Sequence, residues 1–201
     1  TVSEFIGQIS VGDSVEFQNE WNAIKKHKEK IYISYDSTNK NCQAGDIELV
    51  EFSHAKEDKG LPIFNYSIAY DCNNREPLFY EDYPGSIVDV SQLQCMLDKA
   101  NAYGYKNAGF ILDRGYFSRE NIRYMDKCGY DFVIMVKGMK VLVNDAVKEV
   151  KGTFEEKRQY AIRKFCVNGT TVKRFVFPSD EKERYLHVYY SYHKAAAEKE
   201  Q

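Results

Sequence analysis

The sequence of 201 residues has no excess of basic side chains. Lysine and arginine together number 28 against 30 aspartates and glutamates, so the formal net charge is -2 and the pI is near 6.1. A protein that holds nucleic acid by neutralising phosphates usually carries a basic excess, and this composition does not by itself indicate one. An active site built of carboxylates would lower the net charge, however, and its bound cations would restore positive charge locally.

Paired cysteines and histidines are also missing. The five cysteines are scattered without a Cys-x2-Cys pair, and the four histidines are dispersed in the same way. This pattern is typical of reduced thiols in a cytoplasmic protein, and it argues against a disulfide framework or a zinc site made from these residues. We therefore expect a cytoplasmic location.

Long apolar segments are lacking as well. No apolar run approaches the roughly 20 residues that a membrane helix needs, and no signal-peptide pattern is present, so no membrane partner is predicted. The sequence begins with Thr1 and ends in AAAEKEQ, which is typical of the middle of a helix. We therefore expect a piece of a longer protein. Its length allows one good-sized core, or one core with an appended subdomain.

The order of the remaining patterns predicts an α/β fold. Residues 1–30 form an N-terminal segment with apolar residues at helical spacing, followed by the basic run KKHKEK. Over residues 31–137 the order is β-β-β-β-α-β-α-β, with DIELVEF as one of the strands, which predicts a mixed sheet with flanking helices. This core extends to residue 149, and residues 150–201 are predicted to be an incomplete β-rich insertion element.

Asp36 and Asp113 are the candidate catalytic residues. Each directly follows an apolar run, IYISY or AGFIL, and precedes turn-forming residues. Ligands bind at the carboxyl ends of strands in open α/β sheets, and two carboxylates there could hold two divalent metal ions about 3.5–4 Å apart for phosphoryl transfer. Hard oxygen ligands favour Mg²⁺ or Mn²⁺ over zinc. An aspartate at the end of a strand commonly only caps a turn or starts a helix, and for each of the two taken alone this structural role is the better explanation.

Two longer motifs resemble the catalytic core of insertion-sequence transposases of the DDE class. YISYDSTN is similar to the first motif of that family, and FILDRGYFSRENIRYMDKCGYDFVIMVKG is similar to the second. The second motif comprises a strand ending in Asp-Arg-Gly-aromatic, a serine-capped helix, a glycine and a strand reaching a lysine. The resemblance covers roughly residues 31–140. It implies an RNase H-like fold in which Asp36 and Asp113 are the first two catalytic carboxylates and bind Mg²⁺ or Mn²⁺.

The resemblance further implies that double-stranded DNA, as transposon ends and target, is the partner. Arg114 would contact a phosphate, Lys137 would lie where a family strand ends near DNA, and Thr38 would contact DNA or the Asp36 carboxylate. A salt-bridged or solvated arginine, a solvated strand terminus and simple turn chemistry remain the respective alternatives. A homodimer and a prokaryotic, nucleoid-associated location are further expectations.

The sequence departs from the family pattern at the third carboxylate. The family places a glutamate on a later helix, after a β-rich insertion, within the pattern Tyr-x2-Arg-x3-Glu-x6-Lys. The nearest match begins at Tyr160 and Arg163 but has Val167 at the glutamate position. We therefore expect the glutamate beyond Gln201, and we expect this chain alone to be inactive or nearly so.

Other protein classes also place an aspartate at the end of a strand. A haloacid-dehalogenase-type phosphatase requires Asp-x-Asp, whereas Thr38 stands at the second position, and a receiver domain requires an acidic pair after an earlier strand. Neither accounts for DRGYFSREN. A catalytically inactive, transposase-derived module for DNA binding or oligomerisation also remains open, although the retained Asp36 and Asp113 argue against it.

Overall fold

The chain folds into two compact units in the computed structural model, which describes residues 1–27 and 30–199. Thr1–Lys137 form the first unit and Gly138–Gln201 form the second. In the described ranges, no helix combines the length and apolar character that crossing a membrane requires. All five cysteines are free thiols, as expected.

The N-terminal segment is helical, as its apolar spacing predicts. Helix α1 spans Val2–Gly7 and helix α2 spans Val11–Ile24, and each begins with a capping box in which the first side chain accepts a hydrogen bond from the third backbone N–H of the helix. Trp21 on α2 donates its indole N–H to the carbonyl of Pro77, 2.8 Å away. The segment therefore belongs to the first unit. Residues 28 and 29 of the predicted basic run lie outside the described residues.

In the described part of the first unit, five strands form one mixed sheet with the order β3-β2-β1-β4-β5. The pairs β1–β2 and β2–β3 are antiparallel, whereas β1–β4 and β4–β5 are parallel. The strands are β1 Tyr32–Asn41, β2 Ile63–Asp71, β3 Glu76–Pro84, β4 Gly109–Leu112 and β5 Asp131–Ile134. The predicted mixed sheet is confirmed.

The prediction of a strand at DIELVEF is wrong. Within residues 46–52, all of them described, Glu51 makes a single antiparallel bridge to Ile63, and most of the segment forms turns or irregular structure. Strand β3 already pairs with β2 along Phe64 to Asp71, so only Ile63 is left for Glu51. Three strands therefore precede the first helix of the core, rather than four.

Two helices cover one face of the sheet: α3 spans Asp89–Ala102 and α4 spans Arg119–Cys128. The Ser118 hydroxyl caps α4 by accepting from the N–H of Asn121, and α4 ends at Gly129 with a left-handed φ of 74°, both as predicted. The core between these helices and the sheet is apolar. Its fully buried members include Ile33, Leu78, Leu93, Met96, Leu97, Phe110, Ile122 and Met125.

The second unit is a small α/β element. Its described part contains α5 (Lys140–Val150), α6 (Tyr192–Lys199) and a three-stranded antiparallel sheet of order β6-β7-β8, with strands Ala161–Ile162, Val167–Arg174 and Arg184–Tyr190. Ala146 and Val150 on α5 share a core with Phe154 and Val172. Because α5 packs there, the division between the two compact units falls between residues 137 and 138. The domain boundary between residues 149 and 150 stays a prediction.

We predict that Asn121→Ala destabilises the first unit. Asn121 is buried, and its amide donates to the carbonyls of Val90 (2.9 Å) and Tyr116 (3.0 Å), which ties α3 to the segment after β4. Removing this shared donor should lower the free energy of unfolding by about 1–3 kcal/mol. Urea denaturation followed by the fluorescence of Trp21, the only tryptophan of the sequence, measures it.

The matched control is Asn101→Ala, an exposed asparagine on α3. It should change the free energy of unfolding by less than about 0.5 kcal/mol. Equal stabilities of the two variants would contradict the role given to the Asn121 amide.

Candidate active site

Asp36 lies inside β1, so the prediction that it ends its strand is wrong. Strand β2 pairs with β1 over its whole length, from Ile33 to Asn41. The polar residues after Asp36 do not end the strand, because two of their side chains form hydrogen bonds with a distant loop instead of capping a turn. Asn39 and Asn41 each donate a side-chain N–H to a loop carbonyl, those of His54 (3.2 Å) and Asp58 (2.7 Å) respectively.

Asp113 directly follows β4, as predicted, and it caps the next turn. Its Oδ1 accepts a hydrogen bond of 2.5 Å from the backbone N–H of Gly115, within the 3-10 helix Arg114–Tyr116. The turn-capping alternative is therefore confirmed for this residue. The cap does not exclude a second role, because an ionised carboxylate has two oxygens and about four lone-pair sites.

The parallel pairing of β1 with β4 brings the two aspartates to adjacent positions. The paired residues run from Tyr32 with Gly109 to Tyr35 with Leu112, and the next residue on each chain segment is Asp36 or Asp113. Residues level with each other on neighbouring strands are separated by about 4.8 Å, and alternate residues of a strand share a face.

The two aspartates lie on the open face of the sheet. Both are exposed, whereas the preceding residues, Tyr35 and Leu112, are buried on the covered face at 2% and 4% exposure. The register of β1 with β4 and the shared open face thus place the two predicted catalytic carboxylates side by side. Their role as metal ligands stays a prediction.

A shallow depression of about 390 Å³ adjoins Asp36 on this open face. It is lined by Ser34, Asp36, Ser37, Thr38, Tyr66, Ile68, Tyr70 and Cys72. Thr38 follows Asp36 by two residues on the same strand, so its hydroxyl lies on the same side of the sheet. The lining near Asp36 is therefore rich in hydroxyl groups, which are hard oxygen donors.

Arg114 and Lys137 lie at one end of the sheet. Arg114 is exposed at the start of the 3-10 helix that Asp113 caps, and Lys137 is exposed shortly after β5, which ends at Ile134. Because β4 and β5 are parallel, both cations follow the carboxyl ends of their strands, on the same edge as Asp113. The structure thus brings two positive charges to the edge that carries a candidate carboxylate.

Buried polar contacts beneath the site hold the strand that carries Asp36, and the sequence does not reveal them. The Tyr35 hydroxyl lies 2.6 Å from the Ser67 hydroxyl and donates to a Glu81 carboxylate oxygen at 3.0 Å. Gln92 donates to the same oxygen of Glu81 at 3.2 Å. Burial raises the pKa of Tyr35 far above its ordinary value, so this phenol stays protonated and remains a donor. These contacts fix the residue that precedes Asp36.

No cluster of three His, Cys, Asp or Glu side chains includes either aspartate of the pair, among the side chains that the structure describes. The one such set among the described side chains, which leave out residues 28, 29, 89 and 199–201, is His27, Asp71 and Glu76, whose ligand atoms all lie within 4.8 Å of one another. A glutamate beyond Gln201 as the third catalytic carboxylate stays a prediction.

Comparison with known protein families identifies the one to which the chain belongs. A family model described as the Transposase DDE domain matches residues 27–193. The chain belongs to this transposase family. The RNase H-like fold implied by the sequence motifs is thereby confirmed, together with the mixed sheet and its flanking helices. Comparison with curated proteins finds no match.

Two solved transposase structures are similar to the chain at low identity. One is the Mos1 transposase paired-end complex with the left transposon end, at 12% identity and a TM-score of 0.39, covering 71% of this chain and 50% of the other. The second is the piggyBac transposase synaptic complex with hairpin DNA, at 10% identity and a TM-score of 0.43, covering 80% and 33%. The chain thus spans half or less of the length of these transposases.

We predict that Asp113→Ala and Asp113→Asn differ in stability. Alanine removes the acceptor that caps the turn, and the free energy of unfolding should fall by about 1 kcal/mol. Asparagine caps about as well as aspartate and should leave the stability nearly unchanged. Urea denaturation of both variants measures this difference. Equal destabilisation by the two substitutions would show that the carboxylate charge, rather than the cap, stabilises the turn.

Proposed function

We propose that this chain is the catalytic domain of a DNA transposase, which cleaves DNA strands at transposon ends and joins them to target DNA. The observation that carries the proposal is the register of β1 with β4, which aligns Asp36 with Asp113 on the open face. Family membership supports the reaction class.

The residues at this position fit a hard divalent cation. Asp36 and Asp113 offer carboxylate oxygens, and the hydroxyls of Ser34 and Thr38 line the depression next to Asp36. Oxygen-rich sites of this kind suit Mg²⁺ or Mn²⁺. When bound, the metal would activate the attacking oxygen and stabilise the leaving oxygen in phosphoryl transfer.

The protein's own groups would orient the DNA and the metal ligands. Arg114 and Lys137 would neutralise phosphates at the edge next to Asp113, with the guanidinium able to bind two phosphate oxygens at once. The cap from Gly115 would keep the Asp113 carboxylate from rotating, since one of its oxygens is fixed. Thr38 would hydrogen-bond a phosphate or the carboxylate of Asp36.

Double-stranded DNA is the proposed partner, as transposon end and as target. A homodimer and a prokaryotic cytoplasmic, nucleoid-associated location remain predictions.

One observation favours a second candidate function, an inactive transposase-derived module for DNA binding or oligomerisation. Asp113 caps a turn, so a structural reason exists to keep this aspartate even without catalysis. Asp36 has no equivalent cap among the hydrogen bonds of the described residues, and it therefore distinguishes the two functions better than Asp113 does.

We predict weak metal binding by the aspartate pair in this chain. Two carboxylates without a third ligand should bind Mg²⁺ with a dissociation constant above about 1 mM, and Mn²⁺ more tightly, following the affinity order of first-row metals. Asp36→Asn and Asp113→Asn should each abolish Mn²⁺ binding here, as measured by the relaxation enhancement of water protons.

Asp131→Asn is the matched control for this titration. Asp131 is an exposed aspartate at the opposite end of β5, where it pairs with Lys30 at 2.8 Å. Its substitution should leave Mn²⁺ binding by the aspartate pair unchanged. Unaltered binding in Asp113→Asn would remove this residue from the proposed site.

We predict that DNA cleavage and DNA binding depend on different residues in the protein that contains this chain. Asp36→Asn or Asp113→Asn should lower the rate of strand cleavage about a thousandfold or more, since metal ligands act on the transition state. DNA affinity should persist, because it depends mainly on cationic contacts with phosphates. Arg114→Ala and Lys137→Ala should each weaken affinity and reduce the salt dependence by about one phosphate contact.

Cleavage of a labelled transposon-end duplex, with binding measured in parallel at several salt concentrations, tests both effects. Full cleavage by Asp36→Asn would show that the catalytic site lies elsewhere, whereas no cleavage by the unsubstituted protein would favour the inactive module. Robust Mg²⁺-dependent cleavage by the 201-residue chain alone would show that a third carboxylate lies within it.

A further inference from the structure

A second group of potential metal ligands lies on the covered side of the sheet. Asp71 is the last residue of β2, Glu76 is the first residue of β3, and His27 lies between α2 and β1. The Nδ1 atom of His27 is 3.3 Å from Asp71 Oδ2 and 3.3 Å from Glu76 Oε1. The three ligand atoms all lie within 4.8 Å of one another.

The group is largely shielded from water. The side chains of Asp71, His27 and Glu76 are exposed by 0%, 15% and 22% respectively. The ring of Tyr105 closes one side of His27, with an edge contact at 5.5 Å between ring centroids. A buried carboxylate with an imidazole beside it is costly unless a cation or hydrogen bonds compensate it.

Other groups orient both carboxylates. Asp71 Oδ1 accepts from the backbone N–H groups of Asn73 (3.0 Å) and Asn74 (3.3 Å), and the Asn74 side-chain amide donates to Oδ2 at 2.7 Å. Lys25 holds Glu76 Oε2 at 2.7 Å, while the other oxygen, Oε1, lies near His27. Fixed outer partners of this kind are characteristic of metal-ligating carboxylates.

Hydrogen bonding does not account for the position of the imidazole. Among the described residues, neither Nδ1 nor Nε2 of His27 has a hydrogen-bond partner, although both atoms are buried. Nδ1 therefore lies close to two carboxylate oxygens without donating to either. Buried polar atoms normally have partners, so this arrangement requires another explanation.

The distances match the edge of a metal tetrahedron. With metal–ligand bonds of about 2.0–2.1 Å, two ligand atoms of a tetrahedral site are separated by about 3.3 Å. Both contacts of Nδ1 have this length.

A protonated imidazolium explains the contacts less well than a metal does. It would leave a charged Nε2–H buried without a described partner, which costs more than burying a neutral N–H. A cation bound at Nδ1 leaves the ring neutral. The two carboxylates also carry two negative charges, of which Lys25 neutralises one.

We propose that His27, Asp71 and Glu76 bind one divalent transition-metal ion of the Zn²⁺ type, with a structural role. One imidazole nitrogen and two carboxylate oxygens form a mixed set that suits Zn²⁺ better than Mg²⁺, and water would complete the coordination. The ion would fasten the connection between α2 and β1 to the β2–β3 hairpin. This site is independent of the proposed catalytic pair, because Asp71 is level with buried Ile33 whereas Asp36 is exposed on the opposite face.

Zn²⁺ titration of the chelator-treated 201-residue chain against a chromogenic competitor tests the proposal, with Co²⁺ absorption as a second reading of tetrahedral coordination. We expect one tight Zn²⁺ per chain and a higher melting temperature with Zn²⁺ than with Mg²⁺. His27→Gln and Glu76→Gln should each weaken Zn²⁺ binding about a hundredfold and remove the Co²⁺ bands. Both variants preserve the turn that Asp71 caps, and Trp21 fluorescence checks that they are folded.

Two controls separate this site from the catalytic pair. His54→Gln removes an exposed histidine and should retain Zn²⁺ binding. The Asp36→Asn/Asp113→Asn double variant should lose Mn²⁺ binding at the catalytic pair but keep the tight Zn²⁺. Absence of Zn²⁺ binding, wild-type affinity in His27→Gln, or loss of the tight Zn²⁺ in the double variant would overturn the proposal. Stabilisation by mild acid without any Zn²⁺ effect would instead identify an ion-pair clamp and would equally overturn it.

Discussion

The candidate active site depends on one interaction, the parallel pairing of β1 with β4. These strands are far apart in sequence, and the pairing of Tyr35 with Leu112 is what places Asp36 level with Asp113. A shift by one residue would turn one of the two carboxylates to the covered face, because successive side chains of a strand alternate between faces. The apolar residues Ile33, Phe110 and Leu112 oppose such a shift, since it would expose them. Packing of the core thus sets the geometry of the site.

The same alternation divides the chemistry of the sheet between its two faces. On the covered side, the Tyr35 hydroxyl bonds to Ser67 and Glu81. On the open side, Asp36 is exposed beside a shallow depression. One residue step along β1 therefore separates a buried polar contact, which fixes the backbone, from a solvent-accessible carboxylate. Strand β1 thus contributes both the buried contacts that fix the site on the covered face and the exposed carboxylate on the open face.

Local patterns predicted much of this arrangement, and tertiary partners account for what they missed. The apolar run before Asp113, the Ser118 cap and Gly129 were sufficient to predict β4, the turn and α4, because their determinants are neighbours in sequence. The sequence misplaces the end of β1 because Ser37, Thr38 and Asn39 resemble turn formers. In the fold, distant loop residues accept hydrogen bonds from the side chains of Asn39 and Asn41. The strand at DIELVEF was predicted wrongly because β3 already occupies that edge of β2. Both errors arise from contacts between residues that are distant in the sequence.

The His27 cluster shows the same limit for a site. His27 lies more than forty residues before Asp71 and Glu76, and no spacing rule based on cysteine and histidine would connect it with them. The antiparallel pairing of β2 with β3 places the two carboxylates opposite each other. Only the fold therefore reveals a set of ligands assembled in this way.

Burial assigns different roles to the two groups of carboxylates. Asp36 and Asp113 face water, where the high dielectric constant and dissolved ions weaken their mutual repulsion, so the pair can persist without a bound cation. A metal ion held at the proposed site would therefore be able to exchange. Asp71 is inaccessible to solvent, and within the described part of the chain its charge is compensated by hydrogen-bond donors fixed around it. A cation there would be a permanent part of the fold, since losing it would leave a buried negative charge poorly compensated. The exposed pair therefore suits catalysis and the buried group suits structure.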